Sequence, residues 1–230
     1  MGKRLKSMPP SVQDAEYVYL YANLGLLEVS GMTNLLIAGV GGQGTVLASK
    51  LIAAAAMNKG LDVRTTETIG MAQRGGSVVS HVRMGRNVHS PLIRPKRAQA
   101  IIGFEPAEAV RILHYLSGNG LMIVCDTAIK PVTSSLSGDT YKVSEMTDYL
   151  KNNVKSLVII DGEKLLRECR NPKTLNVALL GAAVESGVFP FGADDMKDAL
   201  QNTLPQRFID INLNSFEIGR RIFNETRNAG

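Results

Sequence analysis

Asn34-Leu35-Leu36-Ile37-Ala38-Gly39-Val40-Gly41-Gly42-Gln43-Gly44-Thr45 is the stretch whose reading decides the fold. The apolar run Leu35-Leu36-Ile37 reads as a buried strand, and the glycines after it as a tight turn. Residues 45–59 are Ala-rich with high helix propensity, and Gly60 ends them. Residues 61–66 read as a second strand, so the opening is a βαβ unit with a parallel pair.

Outward from that unit the alternation continues. Val78, Ser80 and Val82 alternate with Val79, His81 and Arg83, and Gly85-Arg86-Asn87 predicts a hairpin turn leading into 88–93. Residues 100–103 form a short buried strand. Glu105-Pro106 opens a helix through 116, with proline early and an acid at the positive end of the dipole. Strands follow at 121–125 and 157–160, with a Ser/Thr/Gly/Pro loop from the first to about 139. Helices are predicted at 144–152, 175–185, 194–200 and from Pro205 to about 225. The pattern predicts an α/β fold: a three-layer α/β/α sandwich with a largely parallel sheet containing an antiparallel hairpin. One domain spans 32–230. Residues 1–31 read as an N-terminal extension, either a leader, a disordered segment or one that docks on a partner.

Composition narrows the function. The 230 residues are 44% hydrophobic and 20% charged, which suits one globular domain with a real core. With no Trp and 5% aromatics, stacking platforms for nucleic acid are not expected. No run approaches the ~20 apolar residues that span a bilayer. Lys3, Arg4 and Lys6 begin like a signal peptide, but Gln13, Asp14 and Glu16 stand where its apolar centre belongs, so the chain reads as cytoplasmic. Cys125 and Cys169 are two isolated thiols, whereas an iron–sulfur cluster takes about four. Any electron carrier therefore sits on another chain. The net charge of +5 is uneven: Arg64, Arg74, Arg83, Arg86, Arg94, Lys96 and Arg97 face a single acid, Glu67, within 64–97. That stretch is either a solvated edge or a surface for an anionic ligand or acidic partner.

Gly39, Gly41 and Gly44 fit G-x-G-x-x-G between a strand and a helix, and Glu67 lies where a ribose-binding acid would sit. Three readings stay open at this point: a dinucleotide site, a site for another phosphate-bearing ligand, and a turn or subunit contact without a ligand. Gln43, large and polar inside the turn, weakens the first. The segment Glu67-Thr68-Ile69-Gly70-Met71-Ala72-Gln73-Arg74-Gly75-Gly76-Ser77 is more distinctive. Its glycines frame Gln73 and Arg74, and a guanidinium offers a planar fork for carboxylate or phosphate.

Together with Gly41-Gly42-Gln43-Gly44, that segment resembles the gamma-type domain of the 2-oxoacid:ferredoxin oxidoreductases. Gly70 to Val78, then His81-Val82-Arg83, Ser90-Pro91-Leu92-Ile93 and Gly103-Phe104-Glu105-Pro106 with Glu108 and Arg111, narrow it to the beta-subunit branch of the indolepyruvate enzymes. The resemblance runs from about 32 to 219. It includes a late motif, Asn-x-x-Ser-Phe-x-x-Gly, from Asn212 to Gly219. It implies a complex that oxidatively decarboxylates an aryl 2-oxoacid to its coenzyme A thioester and reduces ferredoxin. It implies a larger partner subunit carrying thiamine diphosphate, magnesium and iron–sulfur clusters, with no cofactor bound by this chain alone and coenzyme A possible at a shared site. Isolated protein would then be inactive and prone to self-association. Competing readings are a stand-alone Rossmann-like nucleotide-binding dehydrogenase and a non-catalytic binding protein built on the same domain.

The expected ligand- or partner-binding surface comprises Gly41, Gly42, Gln43, Gly44, Glu67, Gln73 and Arg74 at the carboxyl end of the sheet. No catalytic or metal-ligating residue stands out. His81, His89 and His114 carry no shared pattern, and Asp126 and Asp161, each after a buried strand, are ligand candidates or caps of the next helix.

Overall fold

In the structure, a computed structural model, residues 31–69, 76–127 and 142–228 are described. Strands β1 (Thr33–Val40), β2 (Asp62–Ile69), β3 (Ser77–Gly85), β4 (Ala98–Gly103), β5 (Leu116–Cys125) and β6 (Ser156–Ile160) form one sheet in the order β2-β3-β1-β4-β5-β6. The β1/β4, β4/β5 and β5/β6 ladders are parallel. Those of β3 with β1 and β2 are antiparallel. Helices α1 (Thr45–Asn58), α4 (Gly162–Cys169), α5 (Leu175–Glu185), α6 (Ala193–Thr203) and α7 (Gln206–Asn228) cover one face. They pack on Leu35, Ile37, Ile102 and Ile123. Helices α2 (Pro106–Ile112) and α3 (Val143–Asn153) cover the other, on Leu36, Ile101 and Met122. The two-residue period of β1 thus feeds both cores, and the predicted three-layer α/β sandwich is what forms.

Three local expectations fail. The segment 61–69 is a strand, but it does not pair with β1, because β3 lies between them. The antiparallel hairpin is β2/β3, in register from Asp62↔Gly85 to Ile69↔Val78, rather than 77–84 with 88–93. Residues 88–93 run as irregular chain. Arg83 holds them there: its guanidinium donates to the Ser90 carbonyl at 2.7 Å and to Asn34 Oδ1 at 2.9 Å. A side chain that bridges laterally removes the need for a ladder. The helix expected to reach 116 stops at Ile112, passes through a 3₁₀ turn at Leu113–Tyr115, and gives way to β5. Helix α4 was not foreseen as an element; Asp161 caps it, accepting from the Lys164 N–H at 2.8 Å. The extension 1–31 and the loop after 127 lie outside the described residues, Gly31 and the first loop positions apart.

The 212–219 motif finds its reason in packing. Its spacing of three, four and seven places Asn212, Ser215, Phe216 and Gly219 on one face of α7, and all four are buried. Ser215 Oγ bonds Thr174 Oγ1 at 2.7 Å. α5 and α7 touch backbone to backbone: a Cβ on Gly219 would lie 1.8 Å from the Ala178 carbonyl oxygen, and one on Gly181 would lie 2.1 Å from that of Phe216. Neither obstacle is a movable side-chain end. We expect Gly219→Ala to destabilise the protein by about 3 kcal/mol, despite a better helix propensity, because the helices must separate. Urea unfolding followed by circular dichroism measures this, and an unchanged midpoint would contradict the close crossing.

Candidate functional site at the carboxyl edge of the sheet

The chain leaves β1 toward one face, through α1, and leaves β4 toward the other, through α2. Adjacent parallel strands whose connections diverge open a crevice, the usual ligand position in an open α/β sheet. Here Gln43 bridges it. Its Oε1 accepts from the Val40 N–H at 2.7 Å and its Nε2 donates to the Phe104 carbonyl at 3.0 Å. A Cβ on Gly39 would lie 2.5 Å from Gln43 Oε1. The first glycine of the pattern therefore admits the protein's own carboxamide.

Gly44 adopts φ +80° at the start of α1, and a Cβ there would strike Asn176 Nδ2 at 2.5 Å. No side chain caps α1 and no acid lies in its first turn, so its leading N–H groups keep the partial positive charge of a helix start. Gly42 is exposed, with nothing within 4 Å of where a Cβ would stand. The Gly41 N–H donates to the Gly76 carbonyl at 2.8 Å, joining the glycine turn to the end of the second loop.

Beyond Gly76, the Ser77 hydroxyl donates to Glu108 Oε2, which also meets Arg111 Nε at 3.3 Å. Glu105 caps α2, accepting from the Glu108 N–H at 2.9 Å. Glu105 and Glu108 are 2% and 5% exposed, so this acidic pair lies inside the wall of the crevice. Both belong to the motif that carries the resemblance, and neither is among the residues expected at the site. Two acids on the first turn of a short helix are the signal that could have placed them there.

Glu67 stands apart from this cluster. Its Oε1 accepts from the Ser49 hydroxyl of α1 at 3.1 Å, and β3 separates its strand from β1. At ~4.8 Å per strand it is displaced about 10 Å from β1 rather than the single spacing of a dinucleotide fold. Gln73 and Arg74 lie outside the described residues; the strands that flank their segment, β2 ending at Ile69 and β3 beginning at Ser77, end at this same edge. Asp126 accepts from the Gly162 N–H at 2.8 Å, and with the Asp161 cap this gives both acids structural partners. Cys125 and Cys169 are buried, which pushes both thiols up. The described residues hold no group of three or more His, Cys, Asp and Glu side chains able to bind a metal. Two thiols in the whole sequence do not fit an iron–sulfur cluster.

Residues 34–222 match the family described as pyruvate ferredoxin/flavodoxin oxidoreductase. The chain belongs to that family. It is 36% identical over 194 residues to the indolepyruvate oxidoreductase subunit IorB of Thermococcus kodakarensis, covering 84% of this chain and 96% of that one. The fold matches the pyruvate oxidoreductase subunit PORC of Thermotoga maritima with a TM-score of 0.60 at 20% identity, over 84% of this chain and 96% of that one. It also matches the 2-oxoglutarate:ferredoxin oxidoreductase of Magnetococcus marinus, solved with 2-oxoglutarate, coenzyme A and succinyl-CoA. There the TM-score is 0.63 at 18% identity, over 84% of this chain and 31% of that one. The resemblance, which runs from about 32 to 219, is borne out, and the chain is a subunit of the 2-oxoacid ferredoxin oxidoreductase type.

The family's glycine turn is here a built joint, and its strength is measurable. Gln43→Glu puts an acceptor against the Phe104 carbonyl in place of a donor, and we expect a loss of about 2 kcal/mol from the unsatisfied pair. An unchanged urea midpoint would show that the bridge carries no weight.

His81 is 5% exposed; its Nδ1 accepts from the Ile93 N–H at 3.2 Å and its ring meets Tyr115 edge-on. Burial lowers its pKa from 6.5. Below pH 6.5 the unfolded chain therefore takes up a proton the folded one refuses, so stability is full above that value and falls as pH drops. His81→Gln keeps an acceptor for Ile93 but does not titrate. The stability gap between wild type and variant should shrink from pH 7.5 to pH 5.5, and parallel pH profiles would refute this assignment.

Proposed function

We propose that this chain is the subunit without iron–sulfur clusters of an aryl 2-oxoacid:ferredoxin oxidoreductase of the indolepyruvate type. The observation that carries the reading is identity of about a third to IorB subunits over nearly their full length. A larger subunit would hold thiamine diphosphate, magnesium and the clusters, and would pass electrons to ferredoxin. The reaction joins the decarboxylated acyl group to coenzyme A, and we assign this chain's carboxyl edge to the border of that shared centre. The uncapped start of α1 and the open Gly42 would receive an anionic, extended ligand. Arg74 would supply a charge to the coenzyme, the substrate or an acid of the partner. Residues 1–31 would be an appendage to the domain. A cytoplasmic setting suits these partners, and no helix among the described residues is long and apolar enough to cross a membrane.

The stand-alone dehydrogenase is the weaker reading. A dinucleotide would need the crevice that Gln43 bridges and an acid one strand from β1, where β3 stands instead. The test is reconstitution with the large subunit. The complex should reduce methyl viologen in the presence of indolepyruvate and coenzyme A, while this chain alone should not. Arg74→Ala should lower turnover at least 10-fold or abolish assembly. Activity of the isolated chain, or wild-type turnover and assembly of the variant, would overturn these assignments.

A further inference from the structure

The opposite edge of the sheet is charged in another way. Strand register places Arg86, after β3, the run Arg94, Lys96 and Arg97, before β4, and Lys155, before β6, along the amino ends of the parallel strands. All five are exposed, and none forms an ion pair with a described residue. Asp62, the carboxylate that register adds to this edge, accepts from the Asn87 N–H at 2.9 Å. The α7 face is wired differently: Lys164, Lys197, Arg220 and Arg221 each meet a glutamate. Five exposed cations without an ion pair to a described residue are thereby gathered along this one edge.

The edge also has relief. Ala98 pairs with Leu116 and Ala100 with Leu121, so residues 117–120 bulge from the ladder. Beside them is a cavity of about 330 Å³ whose lining includes Lys96, His114 and Lys155 above Leu113, Leu116 and Val154. Lys96 sits at φ +59°, its N–H donating to the His114 carbonyl at 3.0 Å. Lys96 thus lines a concavity with no acid among its lining residues.

We propose that this amino edge is the docking surface for an acidic electron-carrier protein, an inference that rests on the function proposed above. Permanent subunit interfaces are depleted in charge at their cores, whereas unpaired cations at this density suit a brief, steered encounter. Such encounters bury little area and need few apolar anchors. An acidic side chain of the carrier would enter the Lys96–Lys155 cavity, with Arg94 and Arg97 beside it.

The test uses the assembled complex with Arg94→Glu, Arg97→Glu and Lys155→Glu combined, and a milder variant carrying the three glutamine replacements. Both acceptors are assayed, methyl viologen and a strongly acidic ferredoxin, at 20 and 300 mM salt. We expect the ferredoxin KM of the charge-reversed complex to rise at least 10-fold at low salt. Its salt dependence should flatten, and viologen turnover should stay within twofold. The glutamine variant should fall between. A ferredoxin KM within twofold of wild type overturns the proposal alone. So does failure of both variants to assemble with the large subunit, which would make the edge a permanent interface. A wild-type complex that reduces neither acceptor overturns the proposed function, and the docking surface with it.

Discussion

The carboxamide of Gln43 is the tie on which the functional edge depends. It closes the seam where the connections of β1 and β4 diverge, with an acceptor on one strand's last N–H and a donor on the other strand's first outgoing carbonyl. A seam of that kind exposes backbone groups that would otherwise need water or a ligand. Gly39 lacks a side chain so that the amide can reach in, and Gly44 takes a left-handed φ so that α1 can start directly above Asn176. The glycines serve a joint first. What they leave accessible, at Gly42 and the first turn of α1, is a rim rather than a pocket.

From that joint the loops acquire fixed anchors. Gly41 holds Gly76 through the backbone, and Glu108 holds Ser77 through its hydroxyl. The end of the 70–76 connection is thereby pinned to both the glycine turn and α2. Buried acids at such a position are stable only when hydrogen-bonded or paired, and Glu108 has Ser77 and Arg111 while Glu105 has the Glu108 N–H. The acid pair thus acts as a bracket for the end of that connection, at Gly76 and Ser77.

Most of the architecture was legible because burial on both faces forces continuous apolar strands, and helices between them announce themselves by caps and glycine stops. What stayed hidden is pairing. Nothing in residues 61–69 says whether their neighbour is β1 or β3, since strand order depends on which edges are free when the chain returns. The same limit misplaced the hairpin: Gly85-Arg86-Asn87 looks like a tight turn, yet the two-stranded partner of β3 lies before it, across a longer connection. Arg83, which the sequence places in a basic stretch and on a strand, straps residues 88–93 through Asn34 and Ser90. The site was legible as a set of loops at one edge and illegible in its details. Gln43 and Glu67, expected on a ligand- or partner-binding surface, both meet the protein's own atoms.

The two edges of the sheet divide the chemistry of the chain. Carboxyl ends of parallel strands gather turns that can be shaped by glycine and bridged by side chains, and here that edge holds two buried acids, each with a hydrogen-bond partner. Amino ends gather the incoming loops, which carry no such duty, and there cations accumulate without partners. An exposed arginine or lysine is worth little to stability whether paired or not, so folding does not require this segregation. Interspersing acids along 86–97 would have cost nothing in the core, because only Val88 and Ile93 of that stretch are buried. A field left standing at one edge is what a steered, short-lived encounter with an acidic partner would use.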